Sequence, residues 1–249
     1  MNKESHQYNL RGLFPLPEEP EEYYLTRCMA IKKGEDHCPA IVEALYCCKP
    51  DWVRIEYSDD NLLLWEAGAT FYDEEKGLSH IQLRRAFLQK ESYLGLYSRL
   101  EVLAHEYIHA IRFPLQSEKY EEFFAYFIAA SFGSKFRAFW GPLFTKPIDA
   151  VLFFIASLIP FGALFTDSVD PFFFLIPLLT LFTFFSLRLC FRWRRWRSCK
   201  EKVGLPLMIR LTDQEIDLFS QLKTAEIEAF IETESALQFR WKLLESFYK

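Results

Sequence analysis

The sequence predicts an α+β fold: a small sheet with helices, then a two-helix transmembrane hairpin, then a helical C-terminal segment. Three observations carry this expectation. Short runs rich in β-branched and aromatic residues cluster between residues 52 and 87. From Pro147 to Leu187 the only charged residues are Asp149, Asp167 and Asp170. Helical periodicity and helix-boundary signals dominate the rest. The expected organisation is an extended lead-in at 1–22, a mixed domain at 23–146, the hairpin at 147–191, and a basic juxtamembrane segment with a cytoplasmic helical tail at 192–249.

Composition narrows the function before any motif does. The 249 residues carry a formal net charge of -5, which argues against a nucleic-acid partner. The mean hydropathy of -0.03 averages two different materials, a charged part and a dense apolar block. The opening MNKESHQYNL lacks the apolar core of a signal peptide. Six cysteines follow no disulfide-scaffold spacing and read as reduced cytoplasmic thiols. His37-Cys38 and Cys47-Cys48 offer metal-ligand atoms, but no CxxC pair accompanies them.

In chain order, the FPLPEEPEE stretch reads as solvated, with Glu18, Glu19, Glu21 and Glu22 facing water. Tyr23–Tyr46 has apolar positions three and four apart, interrupted near Gly34 to Pro39. Trp52–Tyr57, Asn61–Tyr72 and Leu78–Phe87 have strand character, giving a sheet of two to four strands. Glu91–Phe113 reads as one long helix ended by Pro114. Ser117 is an N-cap candidate for a second helix to about Phe132, with Gly133 as its C-cap.

Ala150–Thr166 and Pro171–Leu187 are each 17 uncharged residues. At about 1.5 Å per residue each covers roughly 25 Å, and flanking residues complete a bilayer core of about 30 Å. Membrane helices tolerate prolines such as Pro160 and Pro177. The four-residue linker Asp167–Asp170 forces an antiparallel hairpin. Lys135, Arg137 and Lys146 precede it, and Arg188, Arg192, Arg194, Arg195, Arg197, Lys200 and Lys202 follow it. That asymmetry puts both termini and the mixed domain in the cytoplasm, on an inner or plasma membrane. Trp193 and Trp196 suit a headgroup-level belt, which is favoured over a nucleic-acid reading of RWRRWR. Thr212-Asp213-Gln214-Glu215 is a capping-box pattern opening a helix to about Glu232, and another helix covers Ser235–Phe247.

The chemistry concentrates in His105-Glu106-Tyr107-Ile108-His109. Histidines four apart on a helix lie on one face about 6 Å apart along the axis, so both imidazoles reach one ion. Zinc suits such nitrogen ligands, and catalytic zinc keeps a position open for water. Glu106 projects beside the pair, where a carboxylate can take a proton from that water. Arg99, Glu101, Arg112 and Glu118 crowd the motif helix, so it is not lipid-embedded.

Val102–Ile111 (VLAHEYIHAI) resembles the extended motif of the zincin metallopeptidases. Glu122-Phe123-Phe124-Ala125 resembles the glutamate-x-x-alanine of their gluzincin branch, in which the Glu is the third zinc ligand. The gap between His109 and that Glu is shorter than in the common soluble gluzincins. The resemblance covers about fifteen residues and implies a zincin-like metal-binding domain at 23–146, with Zn²⁺ held by His105, His109 and Glu122. Geometry alone leaves Glu121 the runner-up and Glu118 third. Relative to the small residues Ala125 and Ala129, Glu122 lies roughly 60° and 20° away and Glu121 about 40° and 80°.

Other candidates have blander explanations. His80 reads as surface, Tyr107, Tyr120 and Tyr126 as packing more than carbonyl-polarising groups, and Arg112 as a helix C-terminal cation. The expectation is a membrane-anchored zinc metalloprotease acting on protein or peptide substrates, with Glu106 as general base. The alternatives are a non-catalytic zincin-like membrane adaptor or peptide-binding module, and a metal-dependent hydrolase of a non-peptide bond.

Overall fold

Three short strands build the sheet that supports everything else: β1 (Arg54–Tyr57), β2 (Gly68–Asp73) and β3 (Leu78–Leu83). The structure, a computed structural model, describes residues 3–34, 37–73, 78–144, 147–160 and 172–248. The strand order is β1-β3-β2. β1 runs parallel to β3 with Ile55 opposite Ile81, and β2 runs antiparallel with Thr70 opposite Ile81. Ile81 and Leu83 on the central strand are fully buried. Asn61–Ala67, expected as strand, forms turns and loop instead. Arg84 holds that loop through the carbonyls of Leu62 and Glu66.

The lead-in at 1–22 is not extended. Lys3–Leu10 is a helix, α1, and α2 (Glu21–Ala30) and α3 (Ala40–Tyr46) follow it. Leu13 and Phe14 are buried in the core, and Tyr24 donates to the Leu13 carbonyl at 2.7 Å. The acidic run is not merely solvated. Glu19 binds Arg27 at 2.8 Å, and Glu21 accepts from the buried Ser5 hydroxyl at 2.9 Å.

Residues 91–98 also depart from expectation. Ser92–Tyr93 (β4) and Tyr97–Ser98 (β5) form a two-stranded hairpin. Leu94 and Gly95 turn it with φ of +53° and +67°, a left-handed pair that no helix accommodates. The motif helix α4 therefore begins at Arg99 and runs to Arg112, with the Ser98 hydroxyl accepting from the Glu101 amide. Its apolar residues Val102, Leu103, Ala104, Tyr107, Ile108, Ala110 and Ile111 are all buried, so the sheet and the other helices enclose it.

α5 (Glu121–Phe127), a 3₁₀ extension over Ile128–Phe132, α6 (Lys135–Trp140) and α7 (Pro147–Leu158) lead to the apolar region. Gly133 follows the extension with φ +86°, as its C-cap role requires. α8 spans Phe172–Met208, and its Leu175–Met208 part is, among the described residues, the one helix long and apolar enough to cross a membrane. Its most apolar window is only 11% buried, unlike a soluble core helix. α7 packs on it through Phe153 against Phe182, and Asp149 pairs with Arg188 at 2.5 Å. With 12 residues α7 covers about 18 Å, short of a bilayer core. The rest of the expected first span and the Asp167–Asp170 turn lie outside the described residues.

α8 also overturns the headgroup-belt reading of Trp196. The helix continues through the arginines into the domain, where Trp196 is fully buried against Phe124 and Phe127 and stacks on Trp193 at 5.3 Å. The tail is helical as expected, in three pieces: α9 (Asp213–Gln221), α10 (Thr224–Leu237) and α11 (Phe239–Leu244). The capping box at α9 forms, with reciprocal Thr212 and Glu215 bonds of 3.3 and 2.7 Å. The break after Leu222 lets Lys202 bond the Phe219, Ser220 and Leu222 carbonyls at the end of α9.

Because Trp196 is core, Trp196→Ala should destabilise the domain by about 3–5 kcal/mol. Arg194→Ala, on the exposed side of the same helix, should stay within about 0.5 kcal/mol. Thermal unfolding of the detergent-solubilised protein checks this. Equal melting temperatures for both variants would return Trp196 to an interfacial role.

Candidate metal centre

The spacing of α4 brings His105 and His109 together one turn apart, with their Nε2 atoms 3.1 Å from each other. Glu122 Oε2 lies 3.8 Å from His105 Nε2, and its Oε1 lies 3.6 Å from His109 Nε2. The three ligand atoms all fall within 4.8 Å of one another and could hold a metal ion. Tetrahedral zinc with bonds of about 2.0–2.1 Å has ligand–ligand edges of about 3.3 Å. The observed separations bracket that edge. Imidazole nitrogens and a carboxylate oxygen are donors that zinc accepts.

The turn between α4 and α5 is what delivers Glu122. Pro114 ends α4 in a 3₁₀ turn, and Gln116 at φ +50° reverses the chain. Ser117 does not cap α5. Its hydroxyl accepts from Arg112 and donates to Asp213, each at 2.5 Å, and the Lys119 amide donates to the same carboxylate at 2.7 Å. Arg112 is itself fully buried, donating to the Ile209 carbonyl at 2.6 Å with its guanidinium 4.4 Å from the Phe124 ring centre. It anchors the turn to the C-terminal helices and is more than a helix-end cation. Ala125 and Ala129 are buried as expected and admit the close approach of α5 to α4.

α5 begins at Glu121, so both acidic residues occupy its first turn, where the helix dipole favours them. They divide the work. Glu121 Oε1 meets His109 Nδ1 at 2.7 Å, fixing the ring so that Nε2 faces His105 and Glu122. The Ala125 backbone interacts with the His105 ring and favours its charged form. Glu106 Oε2 accepts from Thr70 Oγ1 at 2.9 Å, and the same hydroxyl reaches the Glu106 carbonyl.

Electrostatics separates the two histidines. Burial, then the neighbouring His109, drives His105 well below the ordinary imidazole range, so it is neutral. Burial opposes charge on His109 too, but Glu122, with Glu121 and Glu106, outweighs it and pushes its pKa up to about 10. The His109 Nε2 proton therefore points at the neutral His105 Nε2, where a divalent cation would replace it. Burial raises both Glu106 and Glu122, against the pull of His109.

A cleft of about 230 Å³ opens beside His105 and Glu106, walled by Trp65, Gly68, Tyr97, Tyr126 and Arg137. Tyr126 sets its ring edge-to-face on His105, with centroids 4.6 Å apart. Gly141 makes this possible, since a Cβ there would come within 2.3 Å of the Tyr126 ring. Arg137 crosses the cleft to Glu101 at 2.7 Å. Tyr126, read from the sequence mainly as packing, lines the cleft. Thr70 and the Glu101–Arg137 pair carried no usable sequence signal, because each joins the site through contacts distant in the chain.

Other candidates fall elsewhere. His80 lies on β3 stacked on Phe71, in a separate groove with Trp52 and Glu56. Tyr120 donates to Asp217 at 2.6 Å, and Tyr107 is fully buried in the core. Glu118 faces a groove shared with Lys119 and Asp213. Cys28, Cys48 and Cys199 are buried thiols.

Gly141→Ala should displace Tyr126 from His105 and cost about 1–3 kcal/mol through overpacking. Thermal melts compared with Gly133→Ala, where a Cβ meets nothing within 4 Å, separate packing from backbone strain. An unchanged melting temperature for Gly141→Ala would refute the packing account. Comparison of the chain with protein-family models, with curated proteins and with solved structures finds no match.

Proposed function

We propose that this chain is a membrane-anchored zinc metalloprotease that hydrolyses peptide bonds. His105, His109 and Glu122 would hold Zn²⁺, with Glu106 as general base. The observation that carries the proposal is the arrangement of Glu106: it shares a helix face with the ligands, is restrained by Thr70, and lines the open cleft. A zinc ion held there would supply the Lewis acidity that lowers the pKa of a bound water. Glu106 takes the proton of the attacking water on its carboxylate and returns it to the leaving amine. Tyr126, which packs on His105 and lines the cleft, would donate to the carbonyl oxygen.

A peptide is the favoured substrate because β2 is an edge strand of the sheet and its start lines the cleft. An extended chain can add to such an edge through main-chain hydrogen bonds. The apolar surfaces of α7 and α8 support anchoring by a two-helix hairpin, with Leu152, Phe154, Ile155, Phe173, Leu179 and Phe184 exposed. The cations after the second span support cytoplasmic termini and a cytoplasmic catalytic domain.

The direct test is zinc content and peptide cleavage by the purified protein. Glu106→Gln should keep zinc and lose about 10²–10⁴-fold in kcat. His105→Ala should lose both. Zinc retention without cleavage by the parent protein would favour a non-catalytic peptide-binding module. Wild-type turnover in Glu106→Gln would refute the assigned base.

Zinc uptake should also release a proton. At pH 8, below its raised pKa of about 10, metal-free His109 carries the proton that the cation displaces. Apparent zinc affinity should thus fall about tenfold for each pH unit below 10 until other ligands titrate. Calorimetry in buffers of different ionisation enthalpy counts the proton. Uptake with no proton released at pH 8 would contradict the charge state assigned to His109.

A further inference from the structure

The rim of the cleft is apolar, exposed, and continuous with the apolar part of α8. Leu64 and Trp65 on the loop before β2, Leu94 and Leu96 at the β4–β5 turn, and Phe136 on α6 are 60–80% exposed. These belong to three separate segments, yet the structure ties them together. The Tyr93 hydroxyl donates to the Leu64 carbonyl at 2.6 Å, joining the loop to the hairpin. Arg137 donates to the Leu96 carbonyl, joining the hairpin to α6. Trp65, Tyr97 and Arg137 from the same three segments wall the cleft itself. Isolated exposed leucines need no explanation, but a connected apolar rim around a polar site does.

The occupant follows from what α6 touches. Phe136 lies against Trp140 with centroids 6.3 Å apart, and Trp140 stacks on Phe182 of α8 at 6.1 Å. Phe182 precedes Arg188, the first cation after the apolar stretch, by six residues or about 9 Å of helix. α6 therefore meets α8 within its uncharged stretch, ahead of Arg188, which pairs with Asp149. Lys135, exposed beside Phe136, can extend its ammonium to the headgroups while the ring lies deeper.

We propose that the rim formed by Leu64, Trp65, Leu94, Leu96 and Phe136 docks into the bilayer surface. The cleft then opens at the lipid interface and takes peptide segments emerging from the membrane. The docking rests on α8 crossing the bilayer, and the substrate class rests on the protease reading above. A connected apolar rim at the level of the interface buries its side chains among headgroups and upper acyl chains. A substrate already held in the same membrane meets the cleft at a raised effective concentration.

The full chain, with Cys38, Cys47 and Cys190 replaced by serine, is reconstituted into phosphatidylcholine–phosphatidylglycerol vesicles. An environment-sensitive fluorophore is attached through Leu94→Cys, Phe136→Cys or, as a control off the rim, Met29→Cys, which is also exposed. Shallow spin-labelled lipid should quench the first two at least about twofold more than the control. Quenching equal to the control overturns the docking. So does a blue-shifted but unquenched label, which would mean that protein covers the rim.

The second arm compares one peptide sequence anchored in the vesicle with the same peptide free in solution. Leu94→Glu with Leu96→Glu should lower cleavage of the anchored form about tenfold and leave the free form and zinc content unchanged. Equal loss on both forms overturns the substrate class. If the parent protein cleaves neither peptide, the protease reading fails, and the quenching result still decides the docking.

Discussion

The structure turns on burying a charged cluster without leaving any member uncompensated. α4 is enclosed on its apolar sides, and the same helix carries His105, Glu106 and His109 into a largely desolvated space. An isolated charge there would cost several kcal/mol. Three elements answer that cost. β2 supplies the Thr70 hydroxyl, α5 supplies Glu121 and Glu122, and neutral His105 shares its space with cationic His109. Thr70, Glu121 and Glu122 all lie outside the motif in sequence, so the fold is the device that keeps the cluster balanced.

The turn between α4 and α5 extends this dependence to the C-terminal helices. Arg112, Ser117 and Asp213 link the end of α4, the turn and the start of α9 in one buried network. The Lys119–Asp217 pair and the Tyr120–Asp217 bond continue it along α9. α9 in turn packs on α8, which enters the core through Trp196. The position of Glu122 thus depends on residues almost a hundred places later. The apolar helix and the cluster are consequently parts of one packed unit, not a domain on a flexible tether.

How much of this was readable follows from how local each feature is. HExxH was legible because helix geometry alone brings residues i and i+4 together. The Thr212 capping box and Gly133 were legible for the same reason. Glu121 and Glu122 were not separable by periodicity, since both sit in one helical turn and differ only in which ring atom each meets. The lead-in misled because Pro and Glu usually mark solvated chain, whereas here Ser5 and Tyr24 fold α1 and α2 onto the core. Residues 91–98 misled because the left-handed turn at Leu94-Gly95 interrupts a stretch with helical composition. Trp196 misled because tryptophan among arginines is ambiguous until the helix it rides on is known to enter a protein core.

The cluster's shape bears on whether such a site serves structure or chemistry. A metal that only braces a fold is generally closed by four side chains. Among the described residues three such ligand atoms gather here. The remaining approach adjoins the cleft, where Glu106, Tyr126 and the rim segments converge. Bracing would not need a carboxylate restrained by a strand hydroxyl on the cleft wall, because helix, turn and C-terminal network already hold α4 and α5 together. Glu106 also bears a desolvation cost with only one hydroxyl and a nearby cation to offset it. Under the proposed reading that cost serves proton transfer, whereas an apolar residue at the same place would pack without the penalty.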